Sequence, residues 1–286
     1  MKQQYSKDLS VINCLATGLL AFFFTMPVHE LFHALTSLAY GDKIICYSAA
    51  AVRPGDIIDY AALSPFHRIM VAGGSASILN AIIAVILTII LLKCSMGPML
   101  RLFLTQLMGA QFAQGFGYFL IGGCFAVGDW NKVFSYFPDS PGFVSAMRII
   151  LIILGAGGMV FTFFILNHMS YYFIEDSSNK KEKMAVALKM YLLMFLIGIV
   201  VGLLVSIQSP AIASGELSLG LALFFDLMWI PFFWGFMFTG VMNVLPPKKS
   251  RFQYKLPVKP NWILLATGIV LILIDIFVFG PGIFFN

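Results

Sequence analysis

The sequence predicts an all-α, polytopic membrane bundle of about seven spans, with a short re-entrant or β-like loop after the first. Three observations predict it. Of 286 residues, 60% are hydrophobic and 11% charged, where a soluble domain carries about 25% charged residues to coat its surface. Apolar stretches of roughly the 20 residues needed to cross a bilayer recur along the whole chain. The basic residues lie in the short loops between them, the pattern of membrane topology rather than of nucleic-acid binding.

The expected spans are 9–40, 69–92, 99–127, 143–173, 184–207, 217–245 and 261–280. The first follows Lys2 and Lys7 but runs past signal-peptide length into His29, with no small-x-small cleavage site before it. It is therefore expected to stay as a membrane helix. Loop 41–68 is the longest. Gly41-Asp42 and Pro54-Gly55-Asp56 are turn signals, and Ile44, Ile45, Tyr47 and Val52 between them read as a short strand or hairpin. Non-helical backbone at membrane depth needs cover, so this loop is expected to fold back over the end of the first span. Span 2 opens with Gly73, Gly74, Ser75, Ala76 and Ser77, small residues that allow close helix approach in lipid. Span 3 carries Gln106, Gln111 and Gln114, amides that must face other helices or a watery cavity. His168 ends span 4. Cys14, Cys46, Cys94 and Cys124 have no CxxC spacing and read as buried, inert thiols. No soluble domain or internal repeat remains, so residues 1–286 form one membrane domain.

With the N-terminus inside, the loops on that side hold 13 of the 18 Lys and Arg residues and the other side holds 5. An excess of basic residues marks the cytoplasmic side, so N-in, C-out is preferred. The back half of the chain decides this, because up to Arg148 the split is 4 against 5.

The chemistry is in the first span, at His29-Glu30-Leu31-Phe32-His33. Residues four apart on a helix stack one turn apart on one face. Two imidazoles on that pitch reach one tetrahedral zinc. Glu30 lies roughly 100° round the helix from His29, where a carboxylate can take a proton from water whose pKa the metal lowers. By composition, His-Glu-x-x-His arises by chance about once in a thousand such chains. Ionisable side chains at membrane depth are costly, and a metal satisfies all three residues at once.

A catalytic zinc needs a third protein ligand. Asp129, in Val127-Gly128-Asp129-Trp130-Asn131, is the first candidate, because spans 1 and 3 run toward the same membrane face. Its structural alternative is a helix-capping Asp before an interfacial Trp. Asp226, inside span 6, is the next candidate; Asp56, Asp59 and His67 are loop residues.

In order along the chain, these residues resemble the site-2 protease family of intramembrane zinc metalloproteases. His29-Glu30-x-x-His33 lies in the first helix, a small-residue segment from Ala72 to Asn80 opens the second, and Asp129 ends the third. The resemblance covers roughly residues 10–135 and implies a three-helix catalytic core, with 136–286 as additional spans. It implies zinc held by His29, His33 and Asp129, with Asn80 touching the substrate or a ligand. It also implies cleavage of a peptide bond in a membrane-associated substrate, which pairs as an added strand with segment 43–53. The chain departs from the family in two places: Gly128-Asp129-Trp130 stands where a Leu-Asp-Gly triplet is usual, and Phe32 precedes the second His where Gly is frequent. Asn243-Val244-Leu245-Pro246 is similar to the family's Asn-x-x-Pro run without the Asp-Gly that follows it. A different class, a metal-binding transporter or sensor, would use the same cluster without proteolysis. It would need polar stations leading to the other face, for which His168, Asn167 and Asn243 are the candidates.

Overall fold

A computed structural model describes residues 9–55, 57–174, 180–213, 215 and 259–285. The expected span 217–245, with Asp226 and Asn243 in it, and Asp56 in the loop lie outside the described residues. Within them the chain is mostly helical. Five helices are long and apolar enough to cross a membrane, or six if Pro98–Phe125 and Asp129–Ser135, bent by 51°, make one span.

The expected first span is not one regular helix. It comprises α1 (Val11–Phe23) and α2 (Met26–Ala39) with a two-residue break at Phe24 and Thr25. The cause is Pro27 in the first turn of α2, which lacks an N–H and disfavours helical backbone just before it. A break inside a membrane needs its freed backbone groups satisfied from elsewhere. Gln111 donates to the Phe24 carbonyl at 3.2 Å, and Gln114 reaches the Met26 sulfur at 2.9 Å. Two of the three amides of span 3 are thus turned to the break, while Gln106 donates to the Cys14 and Met190 carbonyls.

The other described elements are α3 (Pro65–Ile69), α4 (Ser75–Lys93), α5 (Pro98–Phe112), α6 (Tyr118–Phe125), α7 (Asp129–Ser135), α8 (Pro141–Ser170), α9 (Lys180–Ala187), α10 (Leu193–Gln208), α11 (Pro210–Ala213) and α12 (Trp262–Ile274). Five-residue π turns join α3 to α4, α5 to α6, and α9 to α10. Contacts fix their directions. Thr88 meets Met108, and Arg101 donates to the Leu91 carbonyl, so α4 and α5 are antiparallel. Gln106 reaches Cys14 and Gln111 reaches Phe24, so α5 runs parallel to α1. Lys189 donates to the Leu9 carbonyl while Gly198 faces Phe22, so the α9–α10 span is parallel to α1 as well. α12 is also parallel, since Asn261 bonds Asn13 and Gly268 faces Leu19.

The bundle buries polar side chains within an apolar core and leaves large apolar ones on its outside, where a soluble protein would place polar residues. Asn13, Thr17, Asn80, Thr105, Gln106 and Gln111 are buried, whereas Ile86 and Ile89 on α4 and Ile149, Ile153 and Phe164 on α8 are exposed. Cys14 and Cys46 are buried free thiols as expected; Cys94, just past α4, and Cys124, near the end of α6, are exposed.

The loop after the first span forms the expected hairpin, β1 (Ile44–Tyr47) with β2 (Val52–Pro54), in antiparallel register with a bulge between Ile44 and Cys46. A third strand, β3 (Ile283–Phe284), comes from the far end of the sequence and pairs antiparallel on the other edge of β1. β1 is therefore the central strand. The sheet lies against α2, to which Tyr47 donates a hydrogen bond at the Pro27 carbonyl, 2.5 Å away.

Candidate metal centre

The site is assembled by three separate segments meeting at one end of the bundle. α2 presents His29 and His33 on one face, as their spacing requires. The break before α2 re-aims this turn. Asp129 opens α7, just after α6 ends in the left-handed residue Ala126. α4 brings Asn80.

His29 Nε2 and His33 Nε2 are 3.3 Å apart, and Asp129 Oδ2 stands 3.2 Å from the first and 3.1 Å from the second. Donor atoms bound to one tetrahedral zinc at 2.0–2.1 Å are about 3.3 Å apart. The triangle has that size, with one tetrahedral position left over. The donor set is equally suited: two imidazole nitrogens and a carboxylate oxygen are ordinary zinc ligands. Without a cation, two ring N–H groups turned to Asp129 would also confront each other across 3.3 Å. A Glu30 carboxylate oxygen lies within 4.8 Å of a ring nitrogen of each histidine, and the residue is buried.

Two glycines shape this meeting. Gly73 has φ +147, a conformation that favours glycine, and a Cβ there would stand 2.7 Å from the Asp129 Cβ. The small-residue segment of span 2 therefore admits Asp129 beside the histidines as well as packing helices. Gly128, with φ +60, turns the chain into α7 while its open side receives Tyr118. Trp130 is not an interfacial residue: at 3% exposure it is locked between Gly122 and Phe119, and this fixes the start of α7.

Asn80 is fully buried, and its amide stands 2.7 Å from His29 Nδ1, with the amide nitrogen turned to the ring and Oδ1 buried without a partner. A metal on Nε2 requires the His29 proton on Nδ1. With a metal there, the Asn80 carbonyl, brought round by a half-turn of the amide, would be the acceptor that holds that proton.

Tyr47 lies on the other side of the motif helix. Burial pushes its phenol above the ordinary range, and the nearby Glu30 and Asp275 carboxylates add to the shift. It therefore stays a neutral donor to Pro27. Asp59 caps the short turn Tyr60–Ala62, and His67 packs on Tyr40 and Phe66; neither is among the residues that meet at the His29–His33–Asp129 triangle. His168 stands by Tyr172 at the end of α8. Sequence reasoning missed Tyr118, whose ring lies 5.4 Å from that of His29; no spacing rule points to it.

Fold and site together describe a mostly helical chain, with five or six helices long and apolar enough to cross a membrane, in which His29, His33 and Asp129 meet at one end of the bundle. No protein-family model, curated protein or solved structure matches this chain.

Proposed function

We propose that the chain is a membrane-embedded zinc metallopeptidase of site-2 protease type, cleaving a peptide bond of a membrane-associated protein. The observation that carries this reading is the triangle of His29, His33 and Asp129 donor atoms, 3.1–3.3 Å on each side, with Glu30 beside it. These three residues would hold the ion. Zinc bound there would polarise a substrate carbonyl and lower the pKa of water at its open position.

The chain's own residues do the rest. Glu30, next to His29 on the helix, accepts a proton from water as the water oxygen bonds to the carbonyl carbon. The carbonyl π pair moves onto oxygen. When the C–N bond breaks, Glu30 returns the proton to the amine nitrogen, leaving a carboxyl and an amine terminus. Asn80 orients His29, and Asp129 completes the set of residues that would hold the ion.

The direction of the helices supports a seven-span architecture. α10 ends at the same end of the bundle as the His29 motif, and α12 begins at the opposite end, beside Asn13. One further crossing between them meets that condition. A substrate segment adding to the sheet must pair with the outer edge of β2 or of β3, or displace β3, because both edges of β1 are taken.

One observation favours the transporter reading. Asn13, Thr17, Thr105 and Gln106 form a buried polar seam along α1 and α5, leading away from the site. Ion flux into vesicles without peptide cleavage would support it.

The deciding experiment is metal content and peptide cleavage of the purified full-length protein beside three variants. Glu30→Gln is expected to keep stoichiometric zinc and lose turnover. His33→Ala and Asp129→Ala are expected to lose both. Full zinc in Asp129→Ala would remove that residue from the ligand set, and cleavage by Glu30→Gln would remove the carboxylate from the mechanism.

A further inference from the structure

A peptide carbonyl under attack gains negative charge on oxygen, and hydrolytic sites meet it with fixed donors as well as metal. Beside the motif helix, the amides of Asn80, Gln111 and Gln114 are turned to His29, Phe24 and Met26. The Tyr118 hydroxyl makes no hydrogen bond among the described residues. The ring of Tyr118 is tilted 50° to that of His29 at 5.4 Å. Its hydroxyl lies against Gly128, where a Cβ would be 3.1 Å away, next to the ligand Asp129. It is within electrostatic reach of both the Asp129 and Glu30 carboxylates.

The backbone around Tyr118 is built for this placement. It is the first residue after the π turn Ala113–Gly117, an irregularity that re-aims the side chains following it and recurs at functional sites. On the other side Gly128, at φ +60, leaves the space that the phenol fills. A phenol packed on apolar surface would need neither feature. Tyr118 as a whole is partly buried, with its donor uncommitted among the described residues.

We infer that Tyr118 is a catalytic residue: its O–H donates to the carbonyl oxygen of the scissile peptide as that oxygen becomes negative. This rests on the peptidase reading above. No proton is lost from Tyr118; the hydrogen bond shortens as the C–O π pair moves to oxygen and relaxes when the C–N bond breaks. Glu30 alone carries the transferred proton.

The test uses the zinc-loaded full-length protein in detergent, with Tyr118→Phe, Tyr118→His and Glu30→Gln. Tyr118→Phe is expected to keep zinc content and the thermal midpoint, hold KM, and lose roughly 10²–10³-fold in kcat, the usual effect of one missing oxyanion donor. Its affinity for a peptide phosphonate, a tetrahedral anion, should fall in parallel, a readout that needs no turnover. Tyr118→His, which keeps a donor, should recover part of both. Full kcat and phosphonate affinity in Tyr118→Phe overturn the inference while leaving the peptidase reading intact. Loss of zinc or of folding in that variant, with Tyr118→His no better, shows a structural phenol and overturns it too. A wild type that cleaves no better than Glu30→Gln overturns both.

Discussion

Gly73 and Asp129 touch so closely that one added methyl group would separate them: a Cβ on the glycine would lie 2.7 Å from the Cβ of the aspartate and 3.2 Å from its Cα. The two belong to different spans. Their contact joins the kink before α4 to the start of α7, and so sets the position of the carboxylate over the imidazoles.

Gly73→Ala should therefore strike the metal before the fold. The added atom must displace Asp129, and overpacking of this kind costs about 1–3 kcal/mol, with further strain from φ +147. The expected result is a fall in zinc affinity of at least about tenfold, since 1.4 kcal/mol corresponds to that factor. Helical content should stay unchanged. Chelator competition and circular dichroism check it. Zinc binding at wild-type strength would mean that Asp129 is free to shift without leaving the ion.

Asn80→Ala removes the group beside His29 Nδ1. Loss of such a partner commonly weakens metal binding 10–100-fold. The same chelator titration should show a loss in that range. Asn80→Asp, which keeps an acceptor for the Nδ1 proton, should recover most of it. An alanine variant that binds zinc normally would assign Asn80 to helix packing or to substrate.

Gln111→Leu tests the break in the first span. It leaves the Phe24 carbonyl without this donor at a part-buried break, where an unpaired polar group costs up to about 1–3 kcal/mol. Unfolding in mixed micelles should show a loss of that size. The metal should still bind, because Gln111 touches neither histidine. No change in stability would mean that water replaces the amide.

The carboxyl-terminal strand offers a test of how substrate docks. β3 pairs with β1 through Cys46–Phe284 and Tyr47–Ile283, with Phe285 donating to Ile45 at 2.9 Å. If substrate displaces β3, removing residues 283–286 should raise kcat/KM for an extended peptide. Relief of about 1 kcal/mol of competing pairing corresponds to about fivefold. An unchanged rate would direct the substrate to the outer edge of β2, and a lower rate to the outer edge of β3.

Much of this protein can be read from local pattern. Composition and apolar runs place the described helices to within a few residues, since a bilayer asks roughly 20 apolar residues of a span. The His29–His33 pair is legible because a helix brings residues four apart onto one face whatever surrounds it. Gly41, Pro54 and the apolar residues between them announce the hairpin for the same reason: turn chemistry is local.

Tertiary structure decided the rest. The sequence proposed Asp129 on topology, but only the meeting of α2 and α7 brings its oxygen within 3.1 Å of His33. Gly73 looked like packing material until the backbone reached φ +147 and Asp129 filled the space beside it. The break at Phe24, its repair by Gln111, the pairing of β3 across some 240 residues of sequence and the place of Tyr118 carry no periodic signal. Each depends on groups far apart in the chain, and such contacts exist only once the helices have packed.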